Sequence, residues 1–138
     1  MPGTVTQTQM IIDWLIGLGW NTTEEAGAPI VPGPRILPSP DKIVHITGSG
    51  GPGYVLDGAA DSSLFQARWR GPSNDPIAAE ALATLMDSMI FSAPFPATVD
   101  GVTIIHVHRL GSGPSPLPLD PGDLRYEFTC NYSITTGV

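Results

Sequence analysis

The sequence predicts an α+β fold, a four-stranded mainly antiparallel sheet with two helices packed on one face and long loops rich in proline and glycine. Two stretches carry apolar residues at helical spacing, and four carry them at every second position. Their order is helix, strand, strand, helix, strand, strand, which lacks the strand–helix–strand repetition of a doubly wound parallel sheet. The 16 Gly and 15 Pro predict long, stiff connections within a single domain, residues 1–138.

The first part of the chain predicts a helix followed by an arm. Within residues 1–19 one helical stripe is apolar: Met10, Ile11, Trp14, Leu15 and Leu18. Gly19 suits the position just after the end of that helix. Residues 20–40 form a proline-rich arm, because five prolines exclude a regular helix. We expect this arm to cross a surface or reach a neighbouring molecule.

The core, residues 41–135, begins with a strand over 41–47 and a long loop over 48–62. A second strand begins at Ser63, and Asp75 followed by Pro76 supplies an N-cap and a first residue for the second helix. The predicted buried stripe of this helix is Ala78, Ala81, Leu82, Leu85 and Met89, with Ile77, Met86 and Ile90 at its edges.

The last part of the core predicts two more strands, over 102–110 and 124–135, separated by a second proline-rich arm over 111–123. With both helices on one face of the sheet, polar residues of the strands cover the other face. These polar residues are Gln66, Arg68, Arg70, Arg125, Glu127 and Asn131.

The composition narrows the possible functions. A net charge of −7, from 6 Lys+Arg and 13 Asp+Glu, argues against a surface that holds a phosphate backbone. Cys130 is the only cysteine, so it forms no disulfide framework and is expected to be a small packed residue. The early apolar run is interrupted by Asp13 and follows no basic segment, so we expect neither a signal peptide nor a membrane span, and a cytosolic, soluble chain.

Motifs for catalysis or cofactor binding have little support. The run Gly48–Gly53 satisfies the GxGxxG pattern, but Pro52 lies inside it and no helix is predicted to follow, so a flexible glycine loop is the better interpretation. No serine lies in a GxSxG elbow. We therefore expect no catalytic residue and no cofactor.

The three histidines are the only residues that suggest a metal site. His106 and His108 project from one face of a predicted strand, and His45 could join them to bind zinc. Their face also carries Val102 and Ile104, and no nearby carboxylate or cysteine completes a ligand set. We expect no metal site, and keep a small histidine-dependent metalloenzyme as an alternative.

Charged residues on the polar face offer two kinds of ion pair. Arg68 or Arg70 could pair with Glu127 across the sheet, or with Asp120 or Asp123 of the second arm. Within one subunit such exposed pairs contribute at most about 1 kcal/mol. Buried between subunits, they would instead fix register and partner choice. Both possibilities stay open at this point.

Several segments together resemble a known family. They are PDKIVHITGSGG, FQARWRG, DPIAAEALATLMDSM, VTIIHVHRL and LPLDPGDLRYEFTCNYSI, which cover roughly residues 40–135. In order and spacing they are similar to the tail terminator and minor capsid (neck) proteins of long-tailed bacteriophages. The strongest parts are the junction from RWRG to the helix and the D-x-x-D-x-R-Y-E-F run, Asp120 to Phe128.

The resemblance implies a sheet with helices on one side and a structural role in the virion. The implied protein forms a ring, typically a hexamer, that caps the tail tube, stops its polymerisation and joins tail to head. Its partners would be the major tail tube protein and a head-completion protein, with assembly in the host cytoplasm. DNA would pass through the lumen without being specifically bound, which suits an acidic chain.

No fixed set of functional residues comes with this family, so the predicted interface rests on the polar face and the second arm. Its residues are Arg68, Arg70, Asp120, Asp123, Arg125 and Glu127. Another neck component, a head-closure or tail-completion protein, is the nearest alternative. A generic α+β ligand-binding module is a further one, and a deep apolar pocket would be its sign.

Overall fold

The computed structural model describes residues 6–33, 35–54, 60–118 and 124–137. Two helices, α1 (Gln7–Gly17) and α2 (Pro76–Phe91), accompany six strands. The strands are β1 (Ile30–Pro32), β2 (Ile43–Tyr54), β3 (Ala60–Ser73), β4 (Ala97–Val99), β5 (Val102–Pro116) and β6 (Arg125–Gly137). Within these described ranges, no helix is long and apolar enough to cross a membrane.

All six strands belong to one mixed sheet that curls into a half-barrel. Its order is β1-β2-β3-β6-β5-β4, and every neighbouring pair is antiparallel except β1 and β2. Helix α2 packs across the middle strands β3, β6 and β5, whereas α1 contacts β1 and β2 at one edge and β4 at the other. Because α1 reaches both edges, the helices fill the hollow of the curled sheet, and their side chains share one apolar core with its inner face.

The predicted four-stranded sheet is therefore wrong, because two further strands extend it. The residues of β1 lie in the segment predicted as an arm, 20–40, and those of β4 lie in the turn predicted before Val102. Each has three residues, too few to show an alternating pattern, and each lies beside prolines. Their pairing is supplied by the longer neighbours β2 and β5, a tertiary effect that local sequence does not reveal.

The loop predicted over 48–62 is largely strand. β2 continues to Tyr54 and β3 starts at Ala60, with Tyr54 opposite Asp61. A register shift between Ser49 and Gly53 absorbs the irregular glycine-rich sequence, which is how a bulge keeps two strands paired. The rest of the predicted loop, residues 55–59, lies outside the described residues.

The second arm, predicted over 111–123, also begins as strand. β5 runs on to Pro116, with a register shift between Leu110 and Ser115 against β6. Gly111 and Gly113 have φ of +80° and +122°, a region that glycine enters without steric cost, and they allow the strand to bend there and resume pairing. Residues 119–123 lie outside the described part of the chain.

The helix ends follow the sequence signals. The Asp75 carboxylate accepts a hydrogen bond from the Ala78 N–H at 2.9 Å, and Pro76 is the first residue of α2, which confirms the predicted start. Gly19, with φ +109°, follows the C-cap residue Leu18 of α1, as predicted. Thr6 caps the other end of α1 by accepting from the Gln9 N–H.

The predicted buried stripe of α2 is rotated about the helix axis relative to the observed one. The buried residues are Ala79, Leu82, Ala83, Met86 and Ile90, whereas Leu85 is 45% and Ile77 77% exposed. The cause is a close approach of helix to sheet at Gly71. A Cβ on Gly71 would lie 2.7 Å from both Cα and Cβ of Ala79, so only small residues fit at this crossing. The contact of Gly71 with Ala79 sets the rotation of α2, and the larger Leu85 is turned outward.

Replacing Gly71 should therefore separate helix from sheet. Gly71→Ala is expected to lower the free energy of unfolding by about 1–3 kcal/mol, since the added methyl group meets helix backbone that cannot move aside locally. Gly17→Ala is the matched control, because a Cβ there meets nothing within 4 Å and should stabilise α1 by about 0.5–1 kcal/mol. Urea unfolding of both variants measures the difference; equal effects would contradict the close approach.

Candidate functional site

One half of the outer sheet face is covered by a segment of the same chain. Residues 35–41, here called the strap, follow β1 and cross strands β2, β3 and β6 on the side opposite the helices. Beneath and beside it Ile43, His45 and Arg70 are 0%, 2% and 1% exposed. The outer face is thus a second buried layer over this half, with a charged side chain inside it.

Two arginines of the sheet hold the strap through its carbonyl groups. Arg70 on β3 donates from Nε to the Asp41 carbonyl at 3.0 Å and from Nη2 to the Pro40 carbonyl at 2.6 Å. Arg125 on β6 donates from Nη1 to the Pro38 carbonyl at 2.6 Å and to Asp41 Oδ1 at 3.3 Å. Strap residues 38–41 are therefore held by side chains of two adjacent strands, β3 and β6.

His45 on β2 holds the start of the strap, and its hydrogen bonds identify its tautomer. The Leu37 N–H donates to Nε2 at 3.2 Å, so Nε2 carries no proton, and Nδ1–H donates to the Gly33 carbonyl at 2.9 Å. Burial lowers the pKa of His45, and the nearby positive charges of Arg68 and Arg70 act in the same direction. The strap is therefore docked on a neutral imidazole.

The other half of the outer face, here called the open half, is crossed by no segment of the described ranges. There Arg68 Nε lies 2.6 Å from Glu127 Oε1 with the arginine side chain 32% exposed, and Gln66 Nε2 lies 3.3 Å from Asn131 Oδ1. This confirms the pairing of Arg68 with Glu127 that the sequence left open. The alternative partners Asp120 and Asp123 lie outside the described residues.

The predicted interface residues thus have different environments. Arg68 and Glu127 lie on the open half, and Arg125 is partly covered at the edge of the strap. Arg70 was expected on an open polar face, which is wrong, because the strap buries it. Strand alternation places Arg70 on the correct face, but nothing in the local pattern says that residues 35–41 fold back over it.

The three histidines do not converge. His45 lies on β2 under the strap, whereas His106 and His108 lie on β5, which is separated from β2 by two strands of the sheet. The rings of His106 and His108 stack with centroids 5.6 Å apart. Within the described ranges, no group of three or more metal-binding side chains is found. The geometry therefore gives no support to a zinc site built from all three.

A cleft opens on the opposite side of the molecule, between the end of α2, the following residues 91–95 and β5. Its volume is about 370 Å³. Its walls are mainly apolar, and its polar residues are Asp87, His106, His108, Arg109 and Tyr132.

The polar floor of the cleft is an internal network. Asp87 on α2 accepts from the Tyr132 hydroxyl at 2.7 Å and from Arg109 Nη1 at 2.6 Å. Burial raises the pKa of Tyr132, and the bond to Asp87 adds to this, so the phenol stays protonated and donates. Burial likewise raises the pKa of Cys130, which stays a packed thiol as expected. Sequence reasoning missed Asp87 and Tyr132 because they meet from positions 45 residues apart.

The chain was compared with known proteins. No protein-family model matches it, and no curated protein shows significant sequence similarity to it.

Removal of Arg70 should destabilise the protein far more than removal of Arg68. Arg70→Ala leaves two strap carbonyls without their donors and is expected to lower the free energy of unfolding by about 3 kcal/mol, since bonds from a charged donor contribute about 1.5–3 kcal/mol. Arg68→Ala removes a part-exposed ion pair and should cost at most about 1 kcal/mol. Urea unfolding at pH 7.5 measures both, and equal losses would contradict the buried role of Arg70.

Acidification should weaken the strap. Well above pH 6.5, the ordinary pKa of histidine, His45 is neutral in both the folded and the unfolded state and its contribution to the free energy of unfolding is constant. As the pH falls below 6.5 the unfolded state takes up a proton that the folded state resists, so the free energy of unfolding falls. His45→Gln should remove this part of the pH dependence, whereas His108→Gln, an exposed control, should keep it. Urea unfolding between pH 7.5 and 5.5 tests this; identical profiles for wild type and His45→Gln would refute it.

Proposed function

We propose that this protein is a structural virion protein, a tail terminator that forms a ring on the phage tail tube and joins the tail to the head. The observation that carries the proposal is that separate parts of the family resemblance meet at one place. Asp41 of PDKIVHIT lies between Arg70 of FQARWRG and Arg125 of LRYEF. The parts of the sequence that suggest the family therefore form one structural unit, which supports treating them as a single signature.

The open half of the outer face is the proposed contact between subunits. A closed ring uses heterologous interfaces, in which one patch of a subunit meets a different patch of the next. Gln66, Arg68, Glu127 and Asn131 offer a polar, partly exposed patch on a rigid sheet, suited to fixing the orientation of a neighbour. A ring of typically six copies follows from the resemblance.

The charge distribution supports a lumen through which DNA passes without being held. The chain carries −7 overall with only 6 Lys+Arg. Three of its arginines, Arg68, Arg70 and Arg125, bind a carboxylate or carbonyl groups of the same chain. Few cations are left to neutralise phosphates, and neutralised phosphates are the basis of non-specific DNA binding.

A head-closure or tail-completion protein remains the nearest alternative, and binding to the tail tube rather than to the portal separates the two. The binding-module alternative has a specific observation in its favour, the cleft beside β5. A metalloenzyme built on His45, His106 and His108 has no support from their placement.

Ring assembly is measured by light scattering and negative-stain imaging of this protein, first alone and then mixed with tail tube protein. We expect particles of about six times the monomer mass of 14.5 kDa, stabilised by tube ends. The double variant Gln66→Arg/Asn131→Arg should shift the protein to monomer, since it places bulky like charges on the open patch.

The matched control is Thr84→Arg/Ser88→Arg, which makes the same change in charge on the exposed side of α2 and should leave rings intact. A wild-type protein that stays monomeric and binds no tube ends would refute the function. Rings that tolerate the sheet variant but not the helix variant would instead move the interface to α2.

A further inference from the structure

The two edges of the sheet differ in how much of their backbone is hydrogen-bonded. At one edge β1 pairs with β2 from Val44 to Ile46, and just beyond it the Gly48 N–H donates to Thr8 Oγ1 at 2.9 Å. At the other edge β4 pairs with β5 only from Val102 to Ile104. Beyond that, no backbone group in the described ranges hydrogen-bonds to the outer edge of β5. An open edge of this kind is a template for another strand.

The open edge is regular over residues 106–110. This segment pairs with β6 on its inner side, and it lies between two register shifts, one between Ile104 and His106 and the other after Leu110. Ile105, at the first shift, and Leu110 are 43% and 39% exposed. Five residues are roughly 17 Å of strand, enough for several main-chain hydrogen bonds to an added strand.

The cleft lies alongside this edge. Val107 and the two histidines of the edge line it from one side, and Ile90, Phe91 and Phe95 from the other. Phe91 is 88% exposed, and Phe95 packs edge-on against His106 with centroids 5.3 Å apart. A volume of about 370 Å³ with apolar walls accommodates a bulky apolar side chain from a strand paired with the edge.

The edge carries hydrogen-bond donors and no carboxylate. Residues 106–110 contain His106, His108 and Arg109 and no acidic residue, in a chain of net charge −7. Arg109 is already paired with Asp87, so the histidine ring N–H groups are the donors that an added strand meets. Carboxylate side chains are the matching acceptors. A second copy of β5 fits poorly, because residues opposite each other in antiparallel self-pairing share a face, which sets His106 or His108 opposite His108 of the other copy and brings no carboxylate to either.

We propose that the edge of β5 over residues 106–110, together with the cleft, binds an extended segment of a different protein chain as an added strand. The segment alternates a bulky apolar side chain, which enters the cleft, with carboxylates that face His106 and His108. Main-chain hydrogen bonds supply affinity and the cleft supplies selectivity. This binding does not depend on ring formation or on the proposed function.

The test selects ten-residue peptides from a random displayed library against the full-length protein. We expect enriched sequences that alternate aromatic or aliphatic residues with Asp or Glu. A synthetic peptide of the enriched sequence should shift the backbone amide NMR signals of residues 106–110. The same peptide with alternate backbone nitrogens methylated should lose binding, since it cannot pair as a strand.

Two variants of one helix locate the site. Phe91→Ala should weaken peptide binding at least tenfold, whereas Ile77→Ala, an equally exposed apolar residue far along α2, should leave it unchanged. The proposal is overturned if no peptide is enriched, or if binding survives backbone methylation or Phe91→Ala. Self-association that competes with the peptide would assign the edge to a second copy and also overturn it.

Discussion

The buried guanidinium of Arg70 is the interaction on which the outer layer of this fold depends. Moving a cation out of water costs several kcal/mol, and the carbonyl oxygens of Pro40 and Asp41 compensate for that cost only while the strap is in place. The strap and Arg70 therefore stabilise each other. Without the strap, Arg70 would be exposed beside Ile43; without Arg70, the strap carbonyls would face an apolar surface with no donor.

The prolines of the strap and the arginines of the sheet are two parts of one arrangement. Pro38 and Pro40 have no N–H, so this segment cannot form a ladder of its own with β2. Its carbonyls still need donors, and Arg125 and Arg70 provide them across the face of the sheet rather than along its edge. Arginine suits this role because its fork of N–H groups reaches two neighbouring carbonyls at once, which a lysine ammonium does less well.

The features that the sequence predicts correctly are those set by residues close together in the chain. The alternation of Phe65, Ala67 and Trp69 places these residues on the inner face, where all three are buried, and the signals at Asp75 and Pro76 place the start of α2. Each of these follows from neighbours within a few residues. The pairing of Arg68 with Glu127 is one of the alternatives that the sequence leaves open, because strand alternation puts both residues on one face but does not choose between the possible partners.

What the sequence does not predict is decided by distant contacts. The rotation of α2 depends on how closely Ala79 approaches Gly71, and apolar spacing alone fits a stripe through Leu85 equally well. β4 exists because β5 offers it hydrogen bonds, and the burial of Arg70 depends on residues 35–41 folding back. The cleft brings together Asp87 of α2 and Tyr132 of β6, which are 45 residues apart in the chain, so no sequence motif predicts it.

The surfaces that remain available after folding differ in chemistry, and this limits what each can bind. The helices cover the inner face and the strap covers half of the outer face; the open half of that face and the edge of β5 are two surfaces that no other described segment covers. The open face presents side chains such as Arg68 and Asn131, whose selectivity requires a partner surface of fixed shape. The β5 edge presents backbone groups, which select for an extended conformation more than for a sequence. A folded neighbour therefore suits the face and a flexible segment suits the edge, so one subunit could hold both at once without competition between them.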